Sequence, residues 1–329
     1  MSDGGKPIRW VGFDLGGTKM MATVFDEKFR PLGSKRKRTK GHEGVDACLA
    51  RMKAVLRHAL DEAKLEPADI TGMGIGCPGP VDFDGGVVLD AVNLGWQNVP
   101  LRKLMRDEFR CPVAVLNDVD AGVYGEYRFG AAKAARCAIG IFPGTGIGGG
   151  GVYDGQIIRG KKCSAMEIGH VQVNPTGKLC GCGFRGCLET EASRLAIAGE
   201  VAKAAYRGDA PHLMKNVGTN LAEIRSGALA DSIKAGDVVV EEIVRTAASQ
   251  IGKAAAAVVH LLGPDVIVLG GGLVEAMSDL FVSVVSHSIN HNVMPPYVNS
   301  FKVVPAKLKD DAAVMGAAAW AEKVAAQGA

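Results

Sequence analysis

The sequence predicts an α/β fold in two related domains, on three observations. A strand, turn, strand pattern occurs twice: at Trp10–Leu15, Gly16-Gly17 and Met20–Phe25, and again at Cys137–Phe142, the glycine run 144–151 and Val152-Tyr153. Helical apolar spacing alternates with short strand-like runs. Glycine clusters follow strands at residues 16–17, 144–151 and 270–272. The internal repeat is one of pattern rather than identity, and it leads us to expect an active site between the two domains.

The elements follow in order. A polar start, Met1 to Pro7, leads into the first strand. Between Val45 and Leu65, residues Val45, Cys48, Leu49, Met52, Val55, Leu56, Ala59, Leu60 and Ala63 recur at helical spacing, opposite Arg51, Lys53, Arg57 and Asp61. That pattern is a helix with one face on a sheet. A strand from Gly72 to Cys77 ends in Pro78-Gly79-Pro80, a glycine-rich hairpin centres on Asp84-Gly85-Gly86, and a strand from Val113 to Leu116 ends in Asn117-Asp118. An Ala-rich helix is expected from Asp237 to Leu262, stopped by Pro264, then a buried strand over Asp265–Leu269. Asp310 or Asp311 is expected to cap a final Ala-rich helix. The domain boundary is expected as a hinge near Asp118.

At 329 residues and 47% apolar composition the chain can bury a sizeable core. Lys plus Arg exceed Asp plus Glu by 38 − 35 = 3, too little to argue for nucleic acid or an anionic membrane. No leader and no uninterrupted apolar span is read, and five of the eight cysteines (48, 77, 111, 137 and 163) sit singly among apolar neighbours, as free thiols do in a reducing compartment. A cytoplasmic location is the expectation.

The other three cysteines differ. Glu167-Ile-Gly-His170 is followed by Cys180-Gly-Cys182-Gly-Phe-Arg-Gly-Cys187-Leu-Glu189. One imidazole and three thiols so close together read as a tetrahedral zinc site, with Gly181, Gly183 and Gly186 letting the loop bend. Glu167 and Glu189 bracket it, and a purely structural knuckle has no need of them, so the segment is expected to present carboxylates to something polar. A lone histidine is more often a core residue, but C-x-C-x₄-C downstream of His170 favours ligation, and the C-x-x-C of a redox site is missing.

Asp14-Leu-Gly16-Gly17-Thr18-Lys19 puts bare backbone N–H groups, a hydroxyl and a cation at a strand end, a set suited to an oxyanion. It is not a Walker loop, whose longer spacing and following helix are absent. Gly144-Thr145-Gly146 opens a second such loop and Gly270-Gly271-Gly272 a third, and together they suggest a triphosphate with a flat base or ribose at the third. Asn117-Asp118 offers an amide and a carboxylate; a carboxylate there can take a proton from an attacking hydroxyl, and either residue suits a helix N-cap, so one of the pair is expected to do each job. The basic run Lys35 to Arg38 reads as a solvated edge strand. His42, His58 and His287 are read as surface or packing residues.

With these motifs the chain resembles the ROK family (repressor, open reading frame, kinase), specifically its glucokinase-type sugar kinases, from Asp14 to the final helix. Gly169-His170, Cys180, Cys182, Cys187 and Glu189 carry the resemblance most specifically. It implies the two-domain actin-like, hexokinase-like (ribonuclease H-like) fold with the active site in the interdomain cleft, a small domain 1–117 completed by the C-terminal helix 310–329, a large domain 118–309 with the zinc segment 167–189, ATP and a hexose as partners, Mg²⁺ with ATP, structural Zn²⁺ on His170, Cys180, Cys182 and Cys187, and a homodimer. Asp118 is then the general base. Gly79, Asn93, Asn117, Glu167, His170 and Glu189 hydrogen-bond the sugar; Asp14, Gly16, Gly17, Thr18, Lys19, Gly144, Thr145, Gly146, Gly270, Gly271 and Gly272 hold ATP. His170 would keep one ring nitrogen on the metal and turn the other to the sugar.

The implied reaction transfers the γ-phosphoryl group to a sugar hydroxyl, the 6-hydroxyl of glucose first, with N-acetylmannosamine, mannose and fructose as alternatives and a place in carbohydrate metabolism and glycolysis. Departures from the family pattern are Met166, where Gly is usual, and Phe142-Pro143 before the second loop. Sugar-responsive repressors share the motif but carry a DNA-reading domain, for which the thirteen residues before Asp14 leave no room. A polyphosphate-using kinase is a closer rival.

Overall fold

The computed structural model describes residues 7–161 and 163–327. Residues 1–6 of the polar start and residues 328 and 329 of the C-terminal segment lie outside the described residues. The strands are β1 (Trp10–Leu15), β2 (Lys19–Phe25), β3 (Pro31–Arg38), β4 (Gly72–Cys77), β5 (Val81–Asp82), β6 (Val87–Ala91), β7 (Trp96–Val99), β8 (Val113–Asn117), β9 (Cys137–Pro143), β10 (Ile147–Tyr153), β11 (Gln156–Ile157), β12 (Val266–Leu269) and β13 (Lys302–Pro305). The helices are α1 (Val45–Ala63), α2 (Leu101–Phe109), α3 (Asp118–Phe129), α4 (Leu188–Ala192), α5 (Arg194–Arg207), α6 (Pro211–Asn216), α7 (Ser226–Lys234), α8 (Val238–Leu262), α9 (Gly271–Ala276), α10 (Ser278–Asn292) and α11 (Ala312–Gln327). None of them is long and apolar enough to cross a membrane.

The chain forms two compact units, the described residues of Met1–Ala134, Gly151–Ala165 and Asp310–Ala329 in the first, and Ala135–Gly150 with Met166–Lys309 in the second. The first division falls at Ala134 rather than at the expected 117/118 boundary, because α3 packs along α11. The chain also returns to the first unit for residues 151–165, a crossing with no mark in composition.

In the first unit the sheet order is β3-β2-β1-β4-β8, antiparallel between β1, β2 and β3 and parallel between β1, β4 and β8. The basic run lies on β3, an edge as expected. One face of the sheet, with Val11, Phe13, Leu15, Met20, Ala22 and Val24, packs on the apolar stripe of α1. That helix stops at Lys64, which takes the left-handed conformation (φ 56°) two residues before Glu66-Pro67. The opposite face receives α11 at unusually close range. A Cβ at Gly12 would overlap the Val314 carbonyl, one at Gly74 the Ala317 carbonyl, and one at Gly316 the Ala121 carbonyl. Glycine is required there by backbone approach rather than by a turn. A separate three-stranded sheet runs β5-β6-β7, with the expected hairpin at 83–86.

In the second five-stranded sheet the order is β11-β10-β9-β12-β13, with β12 parallel to both β9 and β13. The turn expected over 144–151 is shorter than that: β10 begins at Ile147, so Gly148–Gly151 are strand residues. Gly149 explains why, since a Cβ there would strike the Met166 carbonyl and the Ile168 side chain. The long Ala-rich helix runs as α8 and ends at Gly263 (φ 55°), immediately before Pro264. Of the two expected caps, Asp311 stands immediately before α11, while the Asp310 carboxylate holds Lys19 and Arg36.

Candidate active site

In the first unit three parallel strands end together. Register pairs Asp14 of β1 with Gly76 of β4, and Cys77 of β4 with Asn117 of β8. The segments leaving their carboxyl ends, Gly16–Thr18, Pro78-Gly79 and Asn117-Asp118, therefore lie side by side, where α/β sheets bind ligands. The Gly16 N–H donates to the Lys19 carbonyl at 3.0 Å, closing a tight turn, and Thr39 anchors it from below through its hydroxyl to the Gly16 carbonyl (2.6 Å) and its N–H to the Thr18 carbonyl (2.9 Å). A Cβ on Gly17 would lie 3.5 Å from that of Asn93, so Asn93 joins the loop. Gly79 has φ 84°, and a Cβ there would overlap the Asp90 carbonyl.

Asn117 is the N-cap of α3: its Oδ1 accepts from Val119 N (2.8 Å) and Asp120 N (3.2 Å), and its Nδ2 donates to the Gly79 carbonyl (3.1 Å). Of the two jobs expected for the pair, Asn117 takes the cap. Asp118 stands in the first turn of that helix, where one carboxylate oxygen accepts from Val119 N at 3.0 Å.

Charge is concentrated beside Asp14. Asp310 pairs with Lys19 through one oxygen and with Arg36 at 3.0 Å through the other, and Lys19 foremost holds the Asp310 carboxyl below its usual range. Asp14 itself is half-buried. Its pKa is pushed up to about 7, first by desolvation, then by the charge of Asp118 and, more weakly, Asp310, against the pull of Lys19 and Arg36.

In the second unit His170, Cys180, Cys182 and Cys187 offer ligand atoms that all lie within 4.8 Å of one another. The His170 Nδ1 is 3.6 Å from Cys180 Sγ, and Cys182 Sγ is 3.6 Å from Cys187 Sγ. Tetrahedral zinc, with bonds of about 2.0–2.3 Å, separates its ligands by roughly 3.6–3.8 Å, so the four residues fit that ion. Nδ1 faces the sulfurs, which leaves Nε2 for a second partner. Of the loop glycines, Gly183 (φ 92°) and Gly186 (φ 70°) make the bends; Gly181 does not adopt positive φ and is not needed for them.

Cys187 is also the N-cap position of α4, which places Glu189 in that helix's first turn. The Glu189 Oε2 accepts from the Ile147 N–H at 3.0 Å, directly behind Gly144–Gly146. Glu167 precedes the short turn 168–170. Although the residue is exposed, desolvation of its carboxyl raises the pKa, with Glu189 adding to this and His170 opposing it.

The third glycine cluster packs on the end of β9, the strand that leads into the Gly144 loop. Gly270 N donates to the Ile141 carbonyl (3.1 Å), a Cβ on Gly270 would lie 2.9 Å from the Phe142 ring, and Gly271 (φ 81°) packs on the Pro143 carbonyl. Phe142-Pro143 thus forms the seat of that cluster. Met166, the other departure, holds φ 63°, the region in which glycine is at ease. Three residues of the site carry no sign of it in the sequence: Asp310, read with Asp311 as a possible cap; Arg36, read only as part of a solvated edge; and Arg194, whose backbone and side chain both reach the Gly144 loop.

The architecture is that of the two-domain, actin-like and hexokinase-like α/β proteins. Within that class the chain belongs to the ROK family, whose model matches residues 10–324. A glucokinase of Thermotoga maritima is 30% identical over 94% of this chain and 96% of its own length. A xylose repressor of Caldicellulosiruptor bescii is 31% identical over 80% of this chain, which spans 65% of it. The crystal structure of a ROK family glucokinase from Streptomyces griseus, in complex with glucose and AMPPNP, superposes with a TM-score of 0.83 at 30% identity, covering 96% of this chain and 99% of that one.

Proposed function

We propose that the protein is an ATP-dependent hexose kinase that phosphorylates the 6-hydroxyl of glucose, working in the cytoplasm as a homodimer. The observation that carries this reading is the meeting of Asp14, Gly16–Thr18, Gly79 and Asn117-Asp118 at the ends of β1, β4 and β8, joined with the likeness to glucokinases. Asp118 accepts the proton of the attacking hydroxyl. In a loose phosphoryl transition state that proton leaves late, so Asp118 mainly aligns the oxygen.

Asn117 spends its carbonyl on the cap and one N–H on Gly79, which leaves one N–H for a sugar oxygen. Glu167 and Glu189 accept hydroxyl hydrogen bonds, and Nε2 of His170 serves another. Gly79 and Asn93 complete the sugar set. Gly16–Thr18 and Gly144–Gly146 give N–H and hydroxyl donors to phosphate oxygens, Lys19 gives a cation, and Gly270–Gly272 receive the nucleoside. Mg²⁺ bound with ATP neutralises phosphate charge. Zinc on His170, Cys180, Cys182 and Cys187 is structural, since four protein ligands close its shell and it fixes both His170 and the start of α4.

The test is sugar-phosphate formation across glucose, mannose, fructose and N-acetylmannosamine, with ATP and Mg²⁺ or polyphosphate as donor, the ATP reactions followed also by coupled ADP release. Turnover on glucose is expected to exceed the rest. Sugar binding without turnover on any acceptor or donor would refute the kinase reading in favour of a regulator.

A further inference from the structure

Arg194 opens α5 directly after its N-cap, Ser193, and makes three contacts with neighbouring segments. Its backbone N–H donates to the Gly144 carbonyl at 2.8 Å, Nη2 donates to Thr145 Oγ1 at 3.1 Å, and Nη1 donates to the Ile224 carbonyl at 3.4 Å. The first two fasten the glycine loop to the start of a 14-residue helix. Guanidinium is a donor only, so Thr145 Oγ1 must accept from it, and the hydroxyl proton is turned to a different acceptor. Thr145 is exposed and Arg194 only half-buried, so that proton and the cation beside it are both presented at the tip of the loop.

We propose that Arg194 is a positioning residue for the phosphoryl donor: it fixes the Thr145 hydroxyl as a donor toward a phosphate oxygen and adds a positive charge next to it. This rests on the kinase reading and names a residue in its donor site. The ligand chemistry is the polyphosphate chain of a nucleotide, not its base. A hydroxyl that donates and a planar cation at one point favour charged phosphoryl oxygens over the neutral acceptors of a nucleoside.

The test is equilibrium binding of AMPPNP with Mg²⁺ and of adenosine to the full-length wild type and to Arg194→Ala, Arg194→Lys and Thr145→Val, with glucose binding as a control for the fold. Arg194→Ala should weaken AMPPNP about 10–100-fold, the range for a charge-assisted hydrogen bond lost, and leave adenosine and glucose unchanged. Arg194→Lys, which keeps the charge without the fork, should fall between. The double variant Arg194→Ala/Thr145→Val should lose less than the product of the single losses. Equal losses for AMPPNP and adenosine, or a fully multiplicative double variant, would overturn the role. So would AMPPNP binding unchanged in Arg194→Ala, with the kinase reading left standing. Wild-type protein that binds glucose but no AMPPNP would overturn both.

Discussion

Replacing Asp14 by Asn should make the protein more stable at pH 8 and leave it unchanged near pH 4. Asp14 holds its proton up to about pH 7 in the fold and releases it near its ordinary value of 3.8 when unfolded. Between those values the folded state binds more protons, so stability is fully present below about pH 4 and is lost as pH rises toward 7. Moving a carboxyl that far corresponds to a ceiling of about 4 kcal/mol. Water reaching the half-buried residue lowers the expectation to ~2 kcal/mol. Asn keeps the shape without the charge. The assay is urea unfolding of wild type and variant at fixed pH from 4 to 8, read as the difference between them, with catalytic turnover followed in parallel. A gain near zero at pH 4 that grows to its full size by pH 8, with activity lost, would show a functional carboxylate kept at the expense of stability. A difference constant across that range would refute the reasoning.

Asp118→Asn should lower turnover by roughly 10²–10⁴-fold while glucose affinity, read by calorimetry, stays within a few-fold; unchanged turnover removes Asp118 as the base. Cys180→Ser should abolish the metal, about one zinc per chain by elemental analysis in the wild type, and weaken glucose binding through His170 and α4; full metal content in the variant would count against the ligand set. Gly316→Ala should cost ~3 kcal/mol or more, because its Cβ has the Ala121 carbonyl and the Gly125 nitrogen in its place. Gly181→Ala, with nothing within 4 Å, should stay within about 0.5 kcal/mol of wild type, both glycine variants being read by thermal unfolding.

What could be read in the sequence was what is local. Helical spacing located α1, a proline stop located the end of α8, and three thiols and an imidazole on one short loop declared their own chemistry. The glycines were harder, because one residue serves unlike ends. Gly16 closes a turn, Gly149 clears a neighbouring carbonyl in mid-strand, and Gly12 lets a helix approach; only the partner, far away in sequence, tells them apart. The same reason hid the pairing of Asp310 with Lys19 and Arg36 and the grip of Arg194 on Thr145. An aspartate before a helix looks like a cap whether or not a lysine hundreds of residues away has claimed it. The division at Ala134 was also out of reach, since it depends on the packing of α3 against α11.

The bare backbone contact between α11 and the glycines of β1 and β4 bears on how the protein is made. The first strand of the first unit leaves the ribosome roughly 300 residues ahead of its covering helix. At about 5–20 residues per second, that sheet face waits on the order of 15–60 s without its partner. The second unit is finished before α11 has been translated. Released chains truncated just short of Ala312 should therefore show a protease-resistant second unit beside a first unit that is still cleavable, reversing the usual order in which the N-terminal domain matures first.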